Sequence, residues 1–178
     1  ARERTGREQV SVEATRAALQ RSYDVLDHLY CGVLLVSGDG VVEYANPAFC
    51  AQFGVADAPG ALVGLTAAKV LEKIRGAYRE PDAAVERILD IVGKGEPVIG
   101  EEVALRDGRT CLRDFVPFQA SRGDRGRLWL HTDITERKRA EETMRERVEL
   151  QDRLAKVAST VPGMIFSFRL RPDGSSGL

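Results

Sequence analysis

The chain has 178 residues, 43% of them hydrophobic and 30% charged, with a formal net charge of -1. That length holds one domain of ordinary size with flanking helices, and the composition is that of a soluble globular protein rather than a disordered one. The balanced charge leaves no footprint for a nucleic-acid partner, and apolar runs such as Gly32 to Val36 are far too short to cross a bilayer.

No basic stretch followed by an apolar one opens the sequence, so neither a signal peptide nor a membrane segment is expected, and a cytoplasmic location is. The first residue is Ala1 and not Met, as expected for a piece of a longer protein. Cys31, Cys50 and Cys111 are widely spaced, odd in number and free of any CxxC pair. They read as small apolar fillers in a reducing compartment, not as a disulfide framework or a zinc site.

The spacing of Val12, Leu19, Val25, Leu26 and Leu29 predicts a helix over Arg7 to Leu29, broken by Gly32. Val33 to Val36 reads as a buried strand, Ser37 to Gly40 as a turn and Val41 to Ala45 as a second strand. Asn46 is a good N-cap and Pro47 suits the first helical position, so a short helix is expected over Pro47 to Phe53, stopping at Gly54. Two more helices follow, over Thr66 to Ile74 and Pro81 to Val92. The period then changes from about 3.6 to 2. Val98 to Leu105 and Thr110 to Phe118 read as strands turning at Asp107-Gly108. A turn over Arg122 to Gly126 leads to a last strand, Leu128 to Ile134. Strands at the ends and helices in the middle predict an α+β domain on one antiparallel sheet.

A long charged helix follows. Asp133 is placed to cap it, with Glu136 three residues on as in a capping box. Leu150, Leu154, Val157 and Val161 form one stripe and Met144 and Val148 an earlier one out of phase, a coiled-coil-like pattern with a stutter. The tail from Val161 to Asp173-Gly174 mirrors Tyr30 to Asp39-Gly40, so a second domain of the same kind is expected to start near Pro162 and to be cut short. The expected organisation is a flanking helix over 1–28, a domain over 29–135, a linker helix over 136–160 and the truncated repeat over 161–178.

Three segments resemble the PAS family. Asp39-Gly40 followed by Val42 to Phe49 looks like its first hairpin, asparagine and short helix. Asp107-Gly108-Arg109 through Pro117 looks like its central hairpin. Asp133-Ile134-Thr135-Glu136-Arg137-Lys138 is similar to its Asp-x-Thr junction between the last strand and the output helix. Their order and spacing span Leu29 to Lys138. The resemblance implies the PAS fold, a five-stranded antiparallel sheet with helices on one face, flanked here by N- and C-terminal helices. It also implies a signal junction at Asp133, Ile134 and Thr135.

The function it implies is a sensory or regulatory module of a multidomain signal-transduction protein, foremost a two-component sensor histidine kinase. Such a module relays a signal through its C-terminal helix to a downstream output domain and mediates homodimerisation. The alternative is a small-molecule sensor of a diguanylate cyclase or phosphodiesterase, with its ligand between sheet and helices. Phe49, Phe53, Phe115 and Trp129 are the candidate lining of such a pocket, although apolar clusters of this kind are more often plain core. No cofactor is expected. Haem-binding relatives place a His on the helix before the central hairpin, and Pro81 to Val92 has none. Photoactive flavin-binding relatives carry a Cys on the middle helix, and Thr66 to Ile74 has none. An enzyme fragment is disfavoured, because His28 and His131 are the only histidines and no nucleophile, metal cluster or phosphate loop can be named.

Overall fold

The structure, a computed structural model, describes residues 2–119, 123–160, 169–170 and 176–177. The chain divides into two compact units, Ala1–Glu136 and Arg137–Leu178.

In the first unit the elements run α1 (Arg2–Asp27), β1 (Gly32–Ser37), β2 (Val42–Ala45), α2 (Pro47–Phe53), α3 (Ala67–Ile74), α4 (Pro81–Lys94), β3 (Val98–Ala104), β4 (Thr110–Gln119) and β5 (Arg125–Asp133). The five strands form one sheet in the order β2-β1-β5-β4-β3, and every pair is antiparallel. This is the expected α+β architecture.

Local signals set most element ends. Asn46 caps α2 by accepting the Phe49 N–H, Pro47 opens it and Gly54 closes it in the left-handed region. Thr66 caps α3 through its side chain, so that helix begins one residue after the expected start. The central hairpin turns at Asp107-Gly108. Leu105 N–H donates to the Arg109 carbonyl at 2.8 Å, and Gly108 has φ +87°. Three residues therefore lie in the loop, with glycine in the left-handed place that such loops require.

The first helix and the last strand differ from expectation at both ends. The first helix starts at Arg2 and ends at Asp27, because Gly6 is tolerated inside it at the modest cost of a helix glycine, and because His28 and Leu29 bond back three residues in a tighter turn. The last strand begins at Arg125, since the long β4 offers partners as far as Gln119. Arg125 and Gly126 thus belong to β5 and not to a turn. The strand ends at Asp133, one residue early.

Alternation divides the sheet into two faces. Cys111, Arg113 and Phe115 of β4 and Trp129 and His131 of β5 are buried on the face that carries α2, α3 and α4. Leu112, Val116, Leu128, Leu130 and Leu35 stand on the other and are half-buried. A register shift at Glu43 leaves Val42 opposite Val36 and Tyr44 opposite Leu35, so Tyr44 points to that second face. There it stacks on Tyr23 of α1 with ring centroids 5.4 Å apart and donates to Asp27 at 2.7 Å. Helix α2 lies directly on β1 at Gly32, where a Cβ would stand 3.0 Å from Phe49 Cα. Only glycine admits so close an approach.

The helix α5 runs Thr135–Thr160. In the second unit Arg169–Leu170 (β6) pairs antiparallel with Ser176–Gly177 (β7). The rest of the expected repeat, including Met164 to Phe168 of its first strand, lies outside the described residues.

Candidate functional site

Between the core face of the sheet and helices α3 and α4 lies a cavity of about 210 Å³, lined mainly by apolar side chains. Phe49 and Trp129 are on its wall, with Leu34, Val70, Ile74 and Ile88. Phe53 and Phe115 are buried but not on that wall. Phe53 packs on the rings of Phe49, Tyr78 and His131, and Phe115 lies under Trp129 at 4.6 Å between centroids. The cavity therefore takes two of the four expected aromatics, and the other two form the layer behind them.

Sequence reasoning missed the polar end of this region. Tyr78, Arg113 and His131 are 1%, 2% and 3% exposed. Tyr78 and His131 line the cavity, and Arg113 stands opposite His131 in the β4–β5 register. Arg113 donates to Glu101 through Nε at 2.9 Å and Nη2 at 2.6 Å, and Arg87 donates to the other oxygen of Glu101 at 2.6 Å. Among the described residues three buried side-chain polar atoms make no hydrogen bond of good geometry: Tyr78 Oη, Arg113 Nη1 and His131 Nδ1. The Tyr78 phenol and the Arg113 guanidinium lie close to one another.

Electrostatics follow from burial. Desolvation, with the positive Arg113 alongside, pushes the His131 imidazole down to about 3, so it is neutral at pH 7. Desolvation pushes the Tyr78 phenol up to about 12, against the lowering influence of Arg113. Burial opposes ionisation of Glu101, but the hydrogen bonds from Arg87 and Arg113 outweigh it and hold the carboxyl below its usual value. Burial raises the Cys50 and Cys111 thiols. Cys31, Cys50 and Cys111 are all free thiols.

The second feature is the strand–helix junction. The Asp133 carboxylate accepts the Thr135 N–H at 2.9 Å and the Thr135 hydroxyl at 2.5 Å. Thr135 Oγ1 in turn accepts the Thr110 N–H at 3.0 Å, and Ile134 N–H donates to the Thr110 carbonyl at 2.9 Å. Ile134 and Thr135 are buried. Asp133 sits two residues before the first helical residue and not at the expected capping-box spacing, and Glu136 is exposed on the first turn.

One chain of contacts leads from the cavity to this junction. Phe49 is on the cavity wall, and Gln52, less than one turn further along α2, accepts Arg109 Nη2 on its carbonyl at 2.6 Å and places its amide against Cys111 Sγ. Arg109 lies 3.8 Å from the Asp133 carboxylate and precedes Thr110. His28, the other histidine, is exposed at the end of α1 and contacts the Asp24 carbonyl.

Among the described residues no group of three or more His, Cys, Asp and Glu side chains is arranged to hold a metal ion, and no helix is long and apolar enough to cross a membrane.

The family described as the PAS fold matches residues 26–139. The chain belongs to the PAS family. Among solved structures, the PAS domain of Bordetella pertussis BvgS is 23% identical with a TM-score of 0.51, over 76% of this chain and 98% of that one. A domain of an HTR-like protein from Haloarcula marismortui is 21% identical with a TM-score of 0.42, over 60% of this chain and all of that one. The sensor region of a sensor histidine kinase is 25% identical with a TM-score of 0.46, over 60% of this chain and 40% of that one. No curated protein matches the chain.

Proposed function

We propose that this chain is the sensory and regulatory module of a multidomain signal-transduction protein, foremost a sensor histidine kinase, which it also helps to dimerise. Its site is a cavity coupled to a helix start, and no catalytic role belongs to it. The observation that carries this reading is the Thr135 hydroxyl, which joins the first residue of α5 to the first residue of β4. A strand that shifts must carry the helix start with it or give up a buried hydrogen bond, at about 1–3 kcal/mol. The contacts from Phe49 through Gln52 and Arg109 connect the cavity to that same residue pair. A diguanylate cyclase or phosphodiesterase would serve equally as output, since the junction reads only helix orientation.

The test is made in the parent protein. Val148 lies in the exposed middle of α5, and proline there removes a helix hydrogen bond and costs about 3 kcal/mol. Val148→Pro is expected to uncouple output activity from stimulus while leaving the first unit folded. Proline at Glu136, in the first turn, is expected to be tolerated. Unchanged regulation with Val148→Pro would reject the relay.

A further inference from the structure

Helix α2 is bonded at one end to α1 and at the other to the strand that carries the start of α5. At its first end, Asn46 donates to the Leu26 carbonyl at 3.1 Å and the Cys31 carbonyl at 2.9 Å, and so grips the end of α1 and the entry to β1. The same side chain accepts the Phe49 N–H of α2 at 2.9 Å. Tyr44 adds a second hold on α1, with its hydroxyl on Asp27 at 2.7 Å and its ring on Tyr23. At the far end of α2, the Gln52 carbonyl accepts Arg109 Nη2 at 2.6 Å, and the Gln52 amide meets Cys111 Sγ. Arg109 and Cys111 flank Thr110, whose N–H and carbonyl bond Thr135 and Ile134.

The link between these two attachments is short and stiff. Helix α2 has seven residues, capped by Asn46 and closed by Gly54. It lies so closely on β1 that a Cβ on Gly32 would stand 2.9 Å from Gln52 Oε1 and 3.0 Å from Phe49 Cα. Close-packed interiors transmit displacement instead of absorbing it. Asn46 and Gln52 are both buried, so neither is free to swing aside. A movement of the end of α1 therefore travels along α2 or breaks a buried hydrogen bond of Asn46. The β1–β5 ladder, which sets Gly32 opposite His131, is the competing route between the same two helices.

We propose that α2 is a strut that couples the end of α1 to the start of α5, so that the position of α1 is an input to the junction in addition to the cavity. Asn46 and Arg109 are the positioning residues at its two ends. This coupling rests on the sensory reading only for its effect on output, and is otherwise a property of this chain alone.

The test is amide hydrogen exchange of the 178-residue chain, followed at Thr110 and Ile134 for the junction and across the middle of α4 as a control. Asp27 is exposed, and Asp27→Ala removes the partner of the Tyr44 hydroxyl and loosens α1. The variant is expected to raise exchange at Thr110 and Ile134 at least about fivefold, the lower end of coupling between sites, with α4 unchanged. Tyr44→Phe removes the same bond from the other side and is expected to act alike. Coupling is reciprocal, so Thr135→Val is expected to raise exchange at Val33 and Phe49, the amides held by Asn46, by a similar factor. With Arg109→Ala already in place, Asp27→Ala is expected to add nothing at the junction. Unchanged junction amides, or a rise shared equally by α4, would overturn the proposal. A rise that persists beside Arg109→Ala would reject the strut and assign the coupling to the β1–β5 ladder. In the parent protein, Val148→Pro without effect on regulation would reject the relay to output and leave this coupling standing.

Discussion

The hydroxyl of Thr135 accepts the backbone N–H of Thr110 at 3.0 Å, although the two residues are 25 apart in sequence. Only the antiparallel register of β4 and β5 brings them together, since it sets Cys111 opposite Asp133 and leaves Thr110 beside the chain as it turns into α5. Thr135 also donates to Asp133, so its one hydroxyl serves both partners. Thr135→Val keeps the shape and removes both bonds. It is expected to destabilise the first unit by about 1–3 kcal/mol, read from urea unfolding, because the Thr110 amide loses a buried partner. Thr135→Ser should retain most of the stability. A Val variant as stable as the parent would show that water replaces the hydroxyl and that the junction is not a lock.

Asn46 performs a comparable task beside β1. It is fully buried, and all four of its hydrogen-bonding positions are used. Oδ1 accepts from Val33 N–H at 2.8 Å and Phe49 N–H at 2.9 Å, while Nδ2 donates to the carbonyls of Leu26 at 3.1 Å and Cys31 at 2.9 Å. One side chain thus joins the end of α1, the start of β1 and the start of α2. Asn46→Asp keeps both acceptors but turns both donors into an oxygen facing carbonyls. At pH 7 it is expected to cost at least about 3 kcal/mol, from two unpaired carbonyls and a buried charge, as a fall in the urea midpoint. A loss below 1 kcal/mol by this measure would mean that α1 is not held through this residue.

His131 makes the fold sensitive to mild acid. Its folded value of about 3 lies below the unfolded value near 6.5, so between those limits the unfolded chain binds a proton that the native chain does not. Stability is therefore complete above pH 6.5 and falls as the pH is lowered. At pH 5 the loss is about 2 kcal/mol, from 1.36 kcal/mol per pH unit over 1.5 units. Glu101, Asp90 and Asp107 are held below their usual values, so their own stabilisation is lost at lower pH than this. Thermal melts between pH 7.5 and 5 should show the loss. His131→Phe, placed among the rings of Phe49 and Phe53, should flatten the profile. An unchanged slope in that variant would assign the acid sensitivity to other groups.

What the sequence discloses follows the range of the interaction that fixes it. The Asn46-Pro47 start of α2 and the Asp107-Gly108 hairpin are decided by neighbours within a few residues, and both read directly. The buried polar cluster beside the cavity does not. Tyr78 comes from the turn after α3, Arg113 from β4 and His131 from β5, and only the sheet register sets Arg113 opposite His131. An arginine in a strand reads as solvent-facing unless the alternation is followed, and here Cys111, Arg113 and Phe115 share the buried face. That alternation was the available signal. The aromatic residues mislead for a related reason. Phe53 and Phe115 are as buried as Phe49 and Trp129, and composition cannot tell a cavity wall from the layer behind it.

Assembly rests on apolar surface left uncovered. Helix α1 reaches the sheet only through its last turns, where Tyr23 stacks on Tyr44 and Asp27 accepts the Tyr44 hydroxyl. Earlier on the helix Leu19 is 54% exposed, and Val25, between those contacts, is 64% exposed. The sheet face beside Tyr44 keeps Leu35, Leu112, Val116, Leu128 and Leu130 half-exposed. A contiguous apolar surface of this kind is a recurring sign of an interface. A two-fold dimer in which the α1 helices pack on each other and on the partner's sheet would cover both at once. Separately, Met144, Val148, Leu150, Leu154 and Val157 of α5 are all more than half exposed, and their spacing suits a second helix pair. Light scattering on the chain is expected to give twice the monomer mass at high micromolar concentration, and Leu19→Glu with Val25→Glu to shift it toward monomer. Deletion of the residues before Leu29 separates the two surfaces. Loss of the dimer assigns the contact to α1, whereas a dimer that survives the deletion assigns it to α5. A monomer in the intact chain would reject both and leave α1 as a cover for its own sheet.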